Sequence, residues 1–308
     1  MSDAEGVAAD DVDARVGAVL CAGRLYCDLV FAGAPRLPTL GEEVFCEGLT
    51  LDAGGGAFIT AAWLAALGRR ATLFAIAPAA PFGDACRRAI EEAGVGDAST
   101  PAPPGADPQI TVAIPYDDDR AFLTRRPGLA LPDTALPDGA GSARHLHIGE
   151  LATLAERPGL ITEARRRGLT VSADCAWDDA PPADAGGLID ALDLFLPNER
   201  EVEVLQAHGI PLDPSRTVIK RGPAGASSHG GRHRASAPTT QVEDATGAGD
   251  AFNAGYLDAW LSGLPPADCL RAGVRCGSAA VRGVGGTGGL VHLRQAGAAS
   301  PILEESAA

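Results

Sequence analysis

Short apolar runs alternate along this chain with longer Ala-, Leu- and Arg-rich stretches of helical period. Val16–Ala22 reads as a strand. Ala57–Leu67 reads as an Ala-rich helix stopped by Gly68, and Ala71–Ile76 as the strand after it. Phe82–Ala93 is amphipathic and ends at Gly94. Further on come a strand at His145–Ile148, a helix at Leu160–Arg167 stopped by Gly168, and strands at Thr170–Ala173 and Leu194–Leu196. Glu199–His208 (helix) and Thr217–Lys220 (strand) complete the series. This β-α-β-α rhythm predicts an α/β fold, a mainly parallel sheet with helices on both faces.

Two stretches break the rhythm. Tyr26–Leu51 has no helical period and carries Pro35, Pro38, Gly41 and Gly48; Gln109–Thr124 sets Ile110, Val112 and Ile114 ahead of a polar turn at Tyr116–Arg120 and a second run at Ala121–Leu123. The latter predicts a β-hairpin. Together, residues 26–51 and 107–126 predict a small β-sheet lid on the α/β domain; plain loops with edge strands are the alternative. Pro101–Pro108 and Gly222–Pro238 read as loop-rich connections. The expected organisation is a disordered acidic tail over 1–15, one domain over 16–296 and a loose tail over 297–308.

Composition narrows the class. With 308 residues and 46% hydrophobic content, the chain can bury a sizeable core. Its formal net charge of −15 argues against nucleic-acid and anionic-membrane partners, which select basic surfaces. The seven cysteines show no CxxC spacing, so neither a disulfide framework nor a zinc site is expected. Met1–Arg15 lacks the apolar core of a signal peptide, and no apolar run approaches the roughly 20 residues of a membrane helix. A cytoplasmic location is expected.

The segment that carries chemistry is Asp244-Ala-Thr-Gly-Ala-Gly-Asp250, ahead of the helical Ala251–Leu261. Gly247, Ala248 and Gly249 make a small-residue turn at a helix start, where bare amides converge on an anion and the helix dipole adds about half a positive charge. Asp250 stands at the same point. On structural grounds alone it is an N-cap; beside an anion hole it also meets the needs of phosphoryl transfer, which takes donors for the migrating group and an acceptor for the hydroxyl proton.

Asp244–Asp250 resembles the C-terminal signature of the ribokinase-like (PfkB) carbohydrate kinases, with Ala245 in place of a Thr. Gly54-Gly55-Gly56-Ala57-Phe58-Ile59-Thr60-Ala61 resembles the family's N-terminal di-glycine signature, Pro197-Asn198-Glu199-Arg200-Glu201 its Asn-x-x-Glu motif, and Lys220-Arg221-Gly222-Pro223-Ala224-Gly225 its nucleotide loop. The resemblance spans roughly Val16 to Leu290. It implies an ATP-dependent kinase of a sugar, sugar acid or nucleoside, with Asp250 as general base and the amides of Gly247–Asp250 as the anion hole. It assigns Asn198 and Glu201 to Mg²⁺ and its waters. As sequence alone, these two read equally as an N-cap and its capping-box partner. It further implies that Asp28, Gly54, Gly55, the Ile59 position and Glu150 meet the acceptor, although Asp28 and Glu150 could equally be solvated loop carboxylates. Lys220, Gly222, Gly225 and the 283–289 stretch line the nucleotide pocket on this reading. Asp244, Thr246 and carbonyls near Gly285 hold a monovalent cation such as K⁺, and two chains pair through their lids as a homodimer.

The chain departs from the pattern at Ile59, where the family usually has an Asn, and at Val274, near a position that is polar in some relatives. Ile59 puts the identity of the acceptor in question and is the main support for the alternative, a non-catalytic metabolite-binding relative. Arg125 and Arg126, after the expected hairpin, read as surface residues or as contacts for an anion. Gly283-Val-Gly285-Gly-Thr-Gly288 fits the dinucleotide fingerprint G-x-G-x-x-G but follows a helical stretch, Leu270–Val281, where that fingerprint needs a strand. A Walker-A loop is excluded, because Lys220 is the chain's only lysine and does not stand in G-x-x-x-x-G-K-[ST].

Overall fold

The computed structural model describes residues 17–116, 119–137, 143–176 and 180–297. The expected N-terminal tail, the middle of the hairpin turn and residues 298–308 lie outside the described residues.

The strands are β1 (Ala18–Ala22), β2 (Tyr26–Ala32), β3 (Gly48–Gly54), β4 (Ala71–Phe74), β5 (Ile76–Ala77), β6 (Gly96–Asp97), β7 (Thr100–Pro101), β8 (Ile110–Tyr116), β9 (Asp119–Arg125), β10 (Ala143–Ile148), β11 (Thr170–Ala173), β12 (Leu194–Phe195), β13 (Val218–Lys220), β14 (Ala226–Ser228) and β15 (His233–Ala235). The helices are α1 (Gly56–Ala66), α2 (Phe82–Glu92), α3 (Leu151–Glu156), α4 (Gly159–Arg166), α5 (Ala185–Asp190), α6 (Glu199–Ala207), α7 (Ala248–Leu261), α8 (Pro266–Ala280), α9 (Gly285–Gly288) and α10 (Leu290–Gly297).

A six-stranded parallel sheet of order β12-β11-β10-β1-β4-β6 forms the centre. It is buried on both faces, so β1 is apolar throughout rather than alternating. Val19 and Cys21 join the core beneath α1, α7 and α8, while Leu20 and Ala22 join the core beneath α3, α4 and α5. Helix α1 is buried continuously from Ala57 to Leu64 and packs on α7, itself buried from Ala251 to Leu257. An Ala-rich helix with no polar face suits such a sandwiched position.

A second sheet of order β3-β2-β8-β9 is built from the two stretches that broke the rhythm, with β2 and β8 parallel and the outer pairs antiparallel. Its register puts Asp28, Asp52, Thr111 and Thr124 on one face and Leu29, Leu51, Val112 and Leu123 on the other.

Several boundaries differ from the sequence expectation. Helix α7 begins at Ala248, so the glycine-rich turn is its cap and first turn. The Gly222–Pro238 region, read as a loop, folds into β14 and β15 against β13; at three residues each, these strands are too short to show a period of two. A helix, α10, follows Gly289 and anchors Leu293 in the core. The six-residue helices α3 and α5 show no periodicity of their own. Among the described residues no helix is long and apolar enough to cross a membrane.

Candidate active site

Gly247 caps α7 in a left-handed conformation, φ 71°, with no side chain capping the helix. A Cβ there would stand 2.7 Å from Gly286 Cα and 3.1 Å from Ile59 Cγ2, so glycine is required both by the backbone angle and by the close approach. Asp250 is the third residue of the helix rather than its cap. Its carboxyl reaches the start of α1: a Cβ on Gly56 would lie 2.8 Å from Asp250 Oδ1 and 2.8 Å from the Gly149 carbonyl. Two helix N-termini, with their bare amides and positive dipole ends, thus converge near this half-buried carboxyl. Burial, then Asp174, push its pKa up to about 7; Glu201 adds to the rise and the Lys220 ammonium opposes it.

Lys220 closes β13 and runs beneath the turn. Its Nζ donates to Asp174 Oδ2 at 2.6 Å and to Asn253 Oδ1 at 3.4 Å, and Asn253 Nδ2 donates to Asp174 Oδ2 at 2.6 Å. A Cβ on Gly249 would lie 3.3 Å from Nζ. Burial works against the ammonium, but Asp174 and Glu201 outweigh it and raise its pKa. Sequence reasoning overlooked Asp174 altogether and gave Asn253 no role. The available signal was position: Asp174 directly follows β11, and ligands of open parallel sheets gather beyond the carboxyl ends of the strands.

Asn198 and Glu201 form a complete capping box on α6. The Asn198 amide donates to Glu201 Oε2 at 2.7 Å, and the Glu201 amide donates to Asn198 Oδ1 at 2.9 Å. Glu201 also lines a cleft with Glu150, Arg126 and Cys175. Burial, then Asp174, push its pKa up to about 7. Among the described residues no three His, Cys, Asp or Glu side chains are grouped to hold a metal ion.

On the second sheet Asp28 pairs in register with Asp52 and is bonded by the Thr111 hydroxyl. Its carboxylate occupies the space where a Cβ on Gly54 would go. Burial, then Asp52, push the Asp28 pKa up to about 7. Glu150 is not a solvated loop carboxylate. It accepts from Thr153 Oγ1 at 2.8 Å and lies 3.5 Å from Arg24 Nε, and Arg24 is itself tied to Gln109, Gly128 and Glu156. Burial raises the Glu150 pKa.

Ile59 is 4% exposed and packs toward Gly286, where an added Cβ would meet its Cδ1 at 2.5 Å. Asp244, Thr246 and Gly285 come together as well: Asp244 Oδ1 accepts from the Thr246 amide and hydroxyl at 2.8 and 2.7 Å, and Oδ2 accepts from the Gly285 amide at 2.8 Å. Trp63 Nε1 donates to the Gly286 carbonyl at 3.0 Å.

Gly222 and Gly225 bound a 3₁₀ turn closed by the Arg221 amide on the Gly225 carbonyl at 2.8 Å. Gly225, at φ 88°, sits against the Ala235 carbonyl. Lys220 therefore parts from Gly222 and Gly225, pointing under α7 rather than along the loop. Val274 is buried. Arg125 pairs with Asp107 at the surface, while Arg126 lines the cleft beside Glu150 and Glu201.

A family model described as pfkB family carbohydrate kinase matches residues 32–292. The chain is 26% identical over 271 residues to an ATP-dependent ribose-1-phosphate kinase of Halopiger xanaduensis, covering 84% of this chain and 90% of the relative. The fold superposes on a ribokinase of Cryptococcus neoformans var. grubii in complex with ADP, with TM-score 0.72 and 20% identity over 91% of this chain and 99% of the other. A ribokinase of Arabidopsis thaliana complexed with ribose and ATP gives TM-score 0.69 and 20% identity over 88% and 94%.

Proposed function

The chain belongs to the pfkB family of carbohydrate kinases, and we propose on that footing that Asp250 is the general base of an ATP-dependent transfer to a hydroxyl of a sugar, sugar acid or nucleoside. One observation carries the reading: the Asp250 carboxyl lies where the N-termini of α1 and α7 meet, against Gly56 and beside the bare turn Gly247–Gly249. Amides there receive charge on the migrating phosphoryl group, and a carboxylate with a pKa near 7 is poised to take the hydroxyl proton.

The other roles follow from position. Asp28, with Gly54 and Gly55 at its side, and Glu150 orient the acceptor's hydroxyls. The β3-β2-β8-β9 sheet acts as a lid that excludes water. Magnesium entering with the nucleotide needs only one or two protein oxygens. Glu201 and Asn198 would hold such an ion directly or through water, and it would supply charge to offset the phosphates. Asp244, whose carboxylate the Thr246 and Gly285 amides already bond, would with Thr246 and Gly285 hold a monovalent cation such as K⁺. Ile59, buried behind the turn, braces Gly247 and Gly286, so its apolar character does not require a lost acceptor pocket. Two chains pair through the lids, whose apolar face exposes Leu49, Leu51 and Leu123; a purely monomeric sedimentation profile would rule this out.

The test is ADP release with Mg·ATP over a panel of acceptors, including ribose and the ribose 1-phosphate that the Halopiger relative's description names. Wild type should turn over at least one, and Asp250→Asn about 10²–10⁴-fold more slowly. Acceptor binding without any turnover would instead favour a metabolite sensor.

A further inference from the structure

Lys220 is the only lysine in 308 residues, yet it is 11% exposed and lies under the anion turn against Asp174, itself 6% exposed. As a structural tie this is a poor choice. A buried ion pair loses hydration on both partners, and an apolar pair of similar size serves stability as well or better. The surroundings supply another reason for a cation. Asp174, Glu201 and Asp250 all act on this ammonium, so an incoming anion would meet three carboxyl groups and one compensating charge.

Geometry adds to the argument. Asp174 and Asn253 take up two directions of the ammonium, at 2.6 and 3.4 Å. Asn253 also donates to Asp174, which fixes the carboxylate that fixes the lysine. Gly249 then brings the backbone of the turn onto Nζ, since a Cβ there would lie 3.3 Å from it. An ammonium presents three protons; two are committed and the turn lies within reach of the third.

We infer that Lys220, oriented by Asp174 and Asn253, is the positioning cation of the anion hole: its charge holds the terminal phosphoryl group of the nucleotide at the Gly247–Asp250 turn. The inference rests on the kinase reading and deepens it. Lys220 acts here on the terminal phosphate and not on the base or ribose, which the loop at Gly222–Gly225 would contact.

The test compares calorimetric binding of Mg·AMP-PNP, which keeps a third phosphate, with Mg·ADP, which lacks it. Wild type should prefer AMP-PNP. Lys220→Met should lose that preference by tenfold or more while ADP affinity changes less than about threefold. Asp174→Asn, which removes the opposing charge but keeps an oxygen to accept from Nζ, with Glu201 and Asp250 still acting on the ammonium, should keep or increase the preference. It also serves if Lys220→Met fails to fold. A parallel loss of both ligands in Lys220→Met, an unchanged preference, or a preference lost in Asp174→Asn would mark the pair as structural and overturn the inference. Equal wild-type affinity for the two nucleotides would overturn it as well. Wild type that binds neither nucleotide brings down the kinase reading itself, a result distinct from the others.

Discussion

Asp28 and Asp52 stand directly opposite each other in the β2–β3 register, so two carboxyl groups share one face of the second sheet. Burial raises both, and Asp52 adds to the rise at Asp28, which reaches about 7. In the proposed acceptor-binding role, an ionised Asp28 accepts hydrogen bonds from acceptor hydroxyls, whereas a protonated one loses its charge and offers one donor with reduced accepting capacity. The acceptor KM should therefore climb as pH falls through about 7. Asp52→Asn removes the repelling charge, lowers the Asp28 pKa and moves the limb to lower pH. A KM profile for Asp52→Asn superimposable on wild type would separate Asp28 from acceptor binding.

Asp250→Asn keeps volume and removes the proposed base. General-base contributions of about 10²–10⁴ set the expected fall in kcat, with nucleotide affinity held within a few fold. In wild type, kcat should fall below about pH 7 as Asp250 takes up its proton. The groups that set this limb are Asp174 and Glu201, which raise the pKa, and Lys220, which lowers it. Lys220→Met should accordingly move the acid limb to higher pH. A pH-independent kcat between 5 and 9 would speak against a carboxylate base of this kind.

Gly56 tests the closeness of α1 to the Asp250 carboxyl. A methyl group there must displace either the Asp250 side chain or the Gly149 carbonyl, each 2.8 Å away. Displacing a reacting group by about 1 Å can cost on the order of 10² in rate, so Gly56→Ala should lose about that much kcat. Gly159→Ala, at the start of α4 with nothing within 4 Å of the new Cβ, is the matched control and should leave kcat unchanged. Equal kcat in both variants would show that Asp250 tolerates displacement.

Much of this architecture was legible because apolar runs and helical periods mark the elements of the α/β core. Thr170–Ala173 appears with the boundaries its apolar run gives, and Phe82–Glu92 ends one residue before the expected Ala93. The Asp244–Asp250 signature marked a tight turn at a helix start, which the structure places at the N-terminus of α7, where no bulky side chain fits because Gly247 meets Gly286. Asp174 was not legible. A single carboxylate after a four-residue strand has no period and no motif, and its partners Lys220 and Asn253 lie 46 and 79 residues away. The direction of Ile59 was equally hidden. A residue inside a helix buried all round gives no sign of which neighbour it meets, and only the assembled fold shows it against the glycine backbone of α9.

That placement makes Ile59 a stability position before it is an acceptor position. Its Cδ1 and Cγ2 fill the space left by Gly286 and Gly247, two glycines that no larger residue could replace without moving it. Ile59→Asn would put an amide among apolar groups, where an unsatisfied polar group costs about 1–3 kcal/mol, and would also remove part of the packing. Ile59→Val loses one methyl(ene) and should cost about 0.5–1.5 kcal/mol. The denaturant midpoint should therefore fall in the order wild type, Ile59→Val, Ile59→Asn. Substituted turn packing should lower kcat in Ile59→Asn for every acceptor of the panel alike. A variant that keeps its midpoint and gains a new acceptor would instead place the side chain in the acceptor pocket.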